Sequence, residues 1–286
     1  MQTQLTRLSP FAPSVLTFGL ALSLATGCAD DVSTEGSDEV GTETDSDTDT
    51  DTETGESGSD TETETETETE TGVTEIIVAG EVTDFFTMQG IAGADIAVID
   101  MPGFETVSDD EGKYSISGLP PETELFFRID GDEESYWGGI RPAMTPDMDT
   151  DDLQLGLVSN ALIDTQLGYL QMQNMDVEAD ETKAVTIVRL LHPTATEEGA
   201  TVTFDPPLPP DTFYGVGADD LPVLNTTEIL SGLLPFWVAF NLDPAELGTY
   251  SVSVEHPTRE CTVLHPQFPT MPRYVTLIDV SCPPMD

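Results

Sequence analysis

The chain has 286 residues, of which 8 are Lys or Arg and 55 are Asp or Glu, so its net charge is −47 at pH 7. A surface with this excess of carboxylates repels phosphate groups, which excludes a nucleic-acid-binding protein and disfavours direct contact with anionic lipid. The length allows two domains, but the first quarter lacks the apolar residues that a core requires.

The first 27 residues have the layout of a signal peptide. One basic residue, Arg7, precedes an apolar run from Val15 to Leu24, and small residues follow up to Cys28. The run is about ten residues long, roughly half of the 20 or so that a helix needs to cross a bilayer. This length favours a signal peptide over a permanent membrane anchor and predicts export to an oxidising compartment.

The segment that ends this signal, Leu24–Cys28 (LATGC), resembles the lipobox of bacterial lipoproteins. In that family the cysteine is acylated and becomes the mature N-terminus. The resemblance implies that Cys28 carries the lipid of a cell-envelope protein, at the outer membrane or the cell surface. Several acyl chains would anchor it stably, because each buried methylene contributes about 0.8 kcal/mol. The alternative is cleavage nearby, with Cys28 left as a free thiol.

Residues 28–73 form an acidic, threonine-rich segment that the composition predicts to be disordered. From Asp30 to Gly72 it has no aromatic residue and no Lys or Arg, so it cannot bury a core. Repulsion among the carboxylates extends it, with a reach on the order of 100 Å. We interpret it as a solvated tether. Binding of calcium or a basic partner by its acids, and O-linked sugars on its threonines, are the alternatives.

From Ile76 onward, short alternating runs separated by turn residues predict an all-β sandwich. The clearest predicted strands are Ile76–Val82, Ala94–Asp100, Lys113–Leu119 and Glu124–Asp130. Three acids, Asp109 to Glu111, precede the third strand and either gather a metal or form a turn. Gly112 follows them and can take the positive φ angle that a tight turn demands, so we interpret the acids as a hairpin turn.

The order of turn and core residues in this region resembles the carboxypeptidase regulatory-like domain, which is a prealbumin-like β-sandwich. The matching residues are Gly80–Asp84, Ile91–Ala94, Ile96, Val98, Thr106–Asp109, Gly112, Tyr114, Ile116 and Gly118–Pro120. The resemblance implies a sandwich of this kind over residues 74–146. It also implies an accessory module for structure or binding, without catalytic residues of its own.

A helical connector is predicted over residues 147–182. Apolar residues within Asp151–Gly168 suit one helix face, with Asp151 or Asp152 as the N-cap and Gly168 as the stop. The acids that begin at Asp147 resemble the start of an EF-hand loop, but that loop's glycine and final glutamate are absent. We interpret them as linker acids, with a casual calcium site as the alternative.

Residues 183–286 predict a second β-sandwich of the same class. Its predicted strands are Ala184–Leu191, Ala200–Phe204, Phe236–Leu242, Thr249–His256 and Tyr274–Cys282. Prolines fill the loops between them. The predicted fold is therefore all-β: two tandem Ig-like or prealbumin-like β-sandwich domains joined by a short helix, after a signal peptide and a disordered acidic linker.

The sequence offers little for catalysis. It contains no GxSxG, HExxH or phosphate-binding glycine loop, and its histidines, His192, His256 and His265, all precede proline on predicted loops or strand ends. We predict no enzyme and no cofactor. The predicted function is a non-catalytic binding or structural module whose partner is a glycan, a peptide or an envelope protein. Tyr136 and Trp137 are candidates for a stacking platform, and the alternative is that Trp137 belongs to the core.

The remaining cysteines, Cys261 and Cys282, are predicted to form a disulfide, because paired thiols oxidise outside the cytoplasm. The alternative is a metal or redox carrier, since Cys261, His265 and Met271 superficially resemble the ligand loop of blue-copper cupredoxins, with another histidine as the second imidazole. The spacing from His265 to Met271 is longer than that family's loop. Copper would also leave Cys282 without a role, so the disulfide is favoured.

Overall fold

The computed structural model describes residues 75–191, 199–216, 221–229 and 235–283. All of them belong to one compact unit. The predicted signal peptide, the lipidation site at Cys28 and the predicted tether lie outside the described residues. Within the ranges given above, no helix combines the length and the apolar character that crossing a bilayer requires.

The first half of the described chain contains seven strands. They are β1 (Ile76–Asp84), β2 (Asp95–Val98), β3 (Glu105–Val107), β4 (Lys113–Leu119), β5 (Glu124–Asp130), β6 (Gly138–Met144) and β7 (Leu155–Leu157). Alternating burial explains a strand such as β4, in which Tyr114 and Ile116 are buried while Ser115 between them is exposed. The four strands predicted from the sequence are confirmed as β1, β2, β4 and β5.

The second half begins with α1 (Asn160–Gln173) and continues with strands. These are β8 (Ala184–Leu191), β9 (Ala200–Asp205), β10 (Phe213–Val216), β11 (Pro222–Leu224), β12 (Glu228–Ile229), β13 (Phe236–Leu242), β14 (Ala245–Glu255), β15 (Thr262–Val263), β16 (Gln267–Thr270) and β17 (Tyr274–Ser281). The five strands predicted here are confirmed as β8, β9, β13, β14 and β17, and the all-β class is confirmed.

The described strands form three sheets. The smallest has the order β4-β1-β7, and a four-stranded sheet has the order β12-β9-β14-β16. The third has ten strands in the order β11-β10-β13-β8-β17-β6-β5-β2-β3, with β15 paired to β17. This large sheet runs through both predicted sandwiches, and each smaller sheet packs against one half of it.

Strand β17 connects the two halves of the large sheet. It pairs in parallel with β6 from Tyr274 to Thr276 and with β8 from Val275 to Ser281. The C-terminal strand therefore lies inside the sheet, with neighbours on both sides. The sandwiches share a sheet through this strand, a connection that the tandem arrangement expected from the sequence did not include.

Three apolar clusters fill the fold. The first lies between the three-stranded sheet and strands β2 and β5, around Phe127. The second lies between the four-stranded sheet and strands β8, β13 and β17, around Trp237 and Phe268. The third covers the opposite face of β8, β13 and β17, where α1 packs over side chains such as Val238. Both faces of these central strands are buried, which explains their nearly continuous apolar sequences.

The predicted start of the helix is wrong. Residues Leu155 and Leu157 alternate with small or polar neighbours and are fully buried in β7, which pairs in parallel with β1. The helix begins later, where the Ser159 side chain accepts a hydrogen bond from the Leu162 amide at 3.4 Å as the N-cap. Gly168 does not stop it, because α1 continues to Gln173.

The acids before β4 form a turn, but the turn is not a hairpin. The Asp109 carboxylate accepts the backbone N–H groups of Glu111 at 2.9 Å and Lys113 at 2.8 Å. Gly112 has a φ of +86°, as predicted. However, β3 pairs with β2 whereas β4 pairs with β1, so the turn carries the chain from one sheet to the other.

The turn provides a stability prediction at Gly112. A Cβ atom there would lie 2.7 Å from the Val82 carbonyl oxygen, in addition to the positive φ. We expect Gly112→Ala to lower the free energy of unfolding by about 2–4 kcal/mol, measured by urea denaturation of the full chain.

The matched control is Gly93→Ala. Gly93 also has a positive φ, +70°, but nothing lies within 4 Å of its added Cβ. This variant should lose only about 1 kcal/mol, the cost of the backbone conformation. Equal losses for the two variants would show that the close contact at Gly112 does not matter.

Candidate functional site

The two C-terminal cysteines form a disulfide, which confirms the prediction. The sulfur atoms of Cys261 and Cys282 are bonded at 2.06 Å, across a sequence separation of 21 residues. The bond joins the residue before β15 to the residue after β17, and Cys282 is 0% exposed. Because Cys261 carries no thiolate, the blue-copper alternative lacks its central ligand.

The described histidines make structural contacts. His265 is buried, and its Nδ1 atom lies 2.7 Å from Oε1 of Glu124 at the start of β5, so it joins the two halves of the protein. The Nδ1 atom of His256 accepts the Thr258 backbone N–H at 3.1 Å within a turn. His192 lies outside the described residues. Neither described imidazole is paired with a nucleophile from another element.

The acidic residues singled out in the sequence also bind backbone or neighbouring side chains. Asp149 accepts the Ile77 amide at 2.8 Å, and Asp152 accepts the Thr150 hydroxyl at 2.5 Å. Lys113 forms an exposed ion pair with the turn acid Glu111. Over the ranges that the structure describes, no three His, Cys, Asp or Glu side chains are grouped as a metal site.

Tyr136 and Trp137 lie where the chain enters β6. Trp137 is only 4% exposed and belongs to the apolar cluster beneath α1, so its indole is enclosed by the protein. Tyr136 is partly buried, and burial raises the pKa of its hydroxyl, with a smaller effect from the carboxylate of Asp84. The pair therefore does not present a flat aromatic surface to solvent.

A buried ion triad links the three strands at the centre of the large sheet. Asp279 on β17 is 3% exposed and accepts a hydrogen bond from Nε of Arg189 on β8 at 2.9 Å. Its second oxygen contacts the guanidinium of Arg141 on β6 at 2.5 Å. Burial by itself would raise the pKa of the Asp279 carboxyl, but the guanidinium groups outweigh this effect and lower it.

The sequence contains a signal for this triad. Each of its members is an isolated charge within an apolar strand: Arg141 in GGIRPAM, Arg189 in AVTIVRLL and Asp279 in YVTLIDVS. A charge in a strand buried on both faces requires an opposite charge nearby, because an unpaired buried ion is costly. The three residues were not predicted to meet, although their positions within apolar strands point to a shared buried site.

A cavity of about 60 Å³ lies between α1 and the large sheet. The aromatic residues in its wall are Phe85, Trp137, Tyr214, Phe236 and Phe240. Aliphatic side chains of α1 and the central strands complete the wall, and none of the described residues that line it carries a charge. Trp137, the candidate for an exposed stacking platform, therefore lines this cavity instead.

Few polar atoms face this apolar region. Both polar atoms of the Asn241 amide have a partner, since its Oδ1 accepts the Asp180 N–H at 2.9 Å and its Nδ2 donates to the Glu178 carbonyl at 2.8 Å. By contrast, Oε1 of Gln166 on α1 is buried and has no hydrogen-bond partner among the described residues. Burial raises the pKa of the Tyr214 hydroxyl, which therefore stays protonated as a donor.

No family model matches the chain, and no curated protein matches its sequence. Among solved structures, the chain is similar to the Bacillus anthracis TIE protein, with a TM-score of 0.23 and 9% identity over 73% of this chain and 34% of that one. It is also similar to a streptococcal ancillary pilin, with a TM-score of 0.24 and 12% identity over 75% of this chain and 64% of that one.

A third similar structure is the shaft pilin SpaA from Lactobacillus rhamnosus GG, with a TM-score of 0.21 and 10% identity over 74% of this chain and 99% of that one. The chain thus spans about a third of the TIE protein and less than two thirds of the ancillary pilin. Likeness at this level gives no information on function.

Proposed function

We propose that the protein is a lipid-anchored, non-catalytic module of the cell envelope that serves as a stiff structural unit. The observation that carries this proposal is the position of β17. The last strand of the described chain lies between β6 and β8, so it joins strands of the two sandwiches into one sheet. A module built in this way keeps a fixed shape while its N-terminal segment connects it to a membrane.

Two further links converge on β17 and support the structural role. The Asp279 triad joins β17 to β6 and β8, and the Cys261–Cys282 disulfide closes the end of the strand. The partner strands come from opposite halves of the protein. Separation of the halves would therefore require breaking parallel pairing and an ion pair together.

The non-catalytic part of the proposal is supported by the contacts of the ionisable side chains. Both described histidines are engaged by Glu124 or by a turn amide, and the most buried acid is ion-paired. A catalytic site needs a nucleophile, a base or a metal in contact. The described residues hold no such grouping.

The anchoring part of the proposal is supported by the sequence before the described residues. Residues 28–73 would hold the module away from the membrane, and contact with the membrane would run through the lipid on Cys28. The large negative charge disfavours binding to nucleic acid and to anionic lipid. The partners in this proposal are therefore neutral glycans or envelope proteins.

The anchor is tested by Cys28→Ala in cells that make the full-length protein. We expect the wild type in the membrane fraction, released by detergent and carrying acyl chains on Cys28 by mass spectrometry. The variant should lose the acyl chains and leave the membrane fraction, because nothing else in the proposal binds the bilayer.

Ser33→Ala is the matched control, since it changes a small residue just after the predicted anchor. It should fractionate like the wild type. A wild-type protein whose mature N-terminus is unmodified, or begins at another residue, would contradict the anchor.

A further inference from the structure

We propose that the Gln173 side chain closes the outer edge of β11 and thereby prevents a second copy of the protein from adding a strand to the large sheet. β11 is an end strand of that sheet and, among the described strands, pairs only with β10. An end strand presents backbone N–H and C=O groups that can pair with another chain. This role of α1 goes beyond the structural unit proposed above, and its failure would leave that proposal intact.

The Gln173 carboxamide occupies the position that one residue of a neighbouring strand would take. Its Nε2 atom donates to the Pro222 carbonyl at 2.7 Å, and its Oε1 atom accepts the Leu224 backbone N–H at 3.0 Å. A residue of an adjacent parallel strand would bond the same two groups, one on each side of Val223. The side chain therefore imitates a strand backbone at this edge.

The register of β11 shows that these backbone groups face outward. Val223 lies opposite Gly215 of β10. In an antiparallel ladder, the residues on either side of a hydrogen-bonded pair point their N–H and C=O groups away from the partner strand. Pro222 has no N–H to offer on that side. The Leu224 N–H is thus the one outward-facing donor among the three described residues of β11, and Gln173 accepts it.

A second residue holds the end of α1 beside β11. The Asn174 side chain donates to Oδ2 of Asp211 at 3.0 Å, and Oδ1 of Asp211 accepts the Asn225 side-chain N–H at 2.8 Å. Asn225 directly follows β11, so these hydrogen bonds connect the end of the helix to the end of the strand. They fix the adjacent Gln173, although its side chain is exposed, at the strand edge.

The composition of β11 explains why this edge needs closing. Its residues, Pro222 to Leu224, carry no charge, whereas β3 at the other end of the large sheet contains Glu105. Charged residues discourage pairing between sheet edges. Val223 is 38% exposed, so an uncovered β11 would present apolar surface together with a free backbone donor. A second copy offers the same strand, and two such edges can pair with each other about a two-fold axis.

Hydrogen exchange at the Leu224 amide tests the contact. The parent is the full-length protein with Cys28→Ala, which removes the predicted acylation site and leaves no cysteine outside the disulfide. Gln173→Ala keeps a good helix former but removes the carboxamide, so the Leu224 amide should exchange about tenfold faster or more. Gln171→Ala is the matched control, because the Gln171 side chain donates to the Val177 carbonyl at 3.0 Å rather than to a strand. It should leave the Leu224 rate unchanged.

Sedimentation velocity of the same proteins tests the consequence. At about 0.15 M salt, repulsion between the acidic surfaces is screened beyond about 8 Å. We expect Gln173→Ala to form a dimer whose share rises with protein concentration, with association about tenfold tighter or more than that of the parent. Adding Val223→Lys places a charge on the uncovered edge. The double variant should therefore sediment like the parent while its Leu224 amide still exchanges fast.

The outcomes separate a closed edge from a hydrogen bond that only holds the helix. Unchanged exchange at Leu224 in Gln173→Ala would overturn the proposal, and so would faster exchange without any gain in dimer. Equal dimer formation by Gln171→Ala would show that loss of the strand-edge contact is not the cause. Dimers that persist after Val223→Lys would show that the association does not use β11, which contradicts the proposal.

Discussion

Replacing Asp279 with alanine should lower the free energy of unfolding by about 3 kcal/mol or more at pH 7. The change leaves the guanidinium groups of Arg141 and Arg189 facing each other without the carboxylate that now compensates them. Removing one partner of a buried ion pair typically costs about 3–5 kcal/mol. Arg189 is partly exposed and retains some hydration, so we expect a loss toward the lower end of this range. Urea denaturation of the full-length protein measures the loss.

Asp243→Ala is the matched control. Asp243 also pairs with a basic residue, Lys183, but its side chain is 75% exposed. Exposed pairs contribute about 0–1 kcal/mol, so this variant should lose less than about 1 kcal/mol. If Asp279→Ala loses no more than Asp243→Ala, the triad does not stabilise the central strand.

The same residue should give a pH dependence with a defined sign. The pKa of Asp279 is lowered from its usual 3.8 in the folded protein, so its stabilising contribution is present above that value and is lost as the pH falls through the folded pKa. The stability difference between wild type and Asp279→Asn should therefore stay constant above about pH 5 and shrink below about pH 4. A difference that grows toward acid pH would mean that the carboxyl is not held ionised by the arginines.

Much of the strand content could be predicted because it is encoded locally. β8 and β13 were predicted with their observed bounds. Both have apolar residues on two faces, and prolines or acids close to their ends limit their length. Their continuous apolar character also indicates burial on both sides, which only a layer such as α1 on the far face can provide.

The connection between the halves could not be predicted, because it depends on distant partners. β6 contains Arg141 and Pro142, which argue against a central strand. The structure accommodates Pro142 because β17 pairs with β6 only from Gly138 to Ile140, before the proline is reached. Pairing in parallel with β17 joins residues more than 130 positions apart, and no local pattern specifies it.

The candidate sites also differ in how far they could be predicted from the sequence. The disulfide could be predicted because two thiols in an oxidising compartment have few other partners. The cavity could not, because Phe85, Trp137 and Tyr214 are ordinary apolar residues in the sequence and become one wall only after folding. Trp137 does not form a stacking platform at the surface, because its indole is enclosed in the third apolar cluster beneath α1.

Loss of the disulfide should have an effect similar in size to loss of the triad. Replacing both Cys261 and Cys282 with alanine removes a constraint on the unfolded chain across a separation of 21 residues. The chain-entropy model gives about 3 kcal/mol for a loop of this length. We expect the variant to unfold at lower urea concentration, with the loss measured on full-length protein at neutral pH.

Reduction separates the effect of the bond from the effect of the substitutions. Dithiothreitol should destabilise the wild type by about the chain-entropy amount of 3 kcal/mol and should leave the double variant unchanged. Thiol counting on the denatured wild type should rise by two after reduction. Because Cys282 follows β17 directly, breaking the bond should also loosen β15, which pairs with Ser281 and Val280 at that end. Two free thiols before reduction, or equal destabilisation of both proteins by the reductant, would show that the bond does not hold the central strand in place.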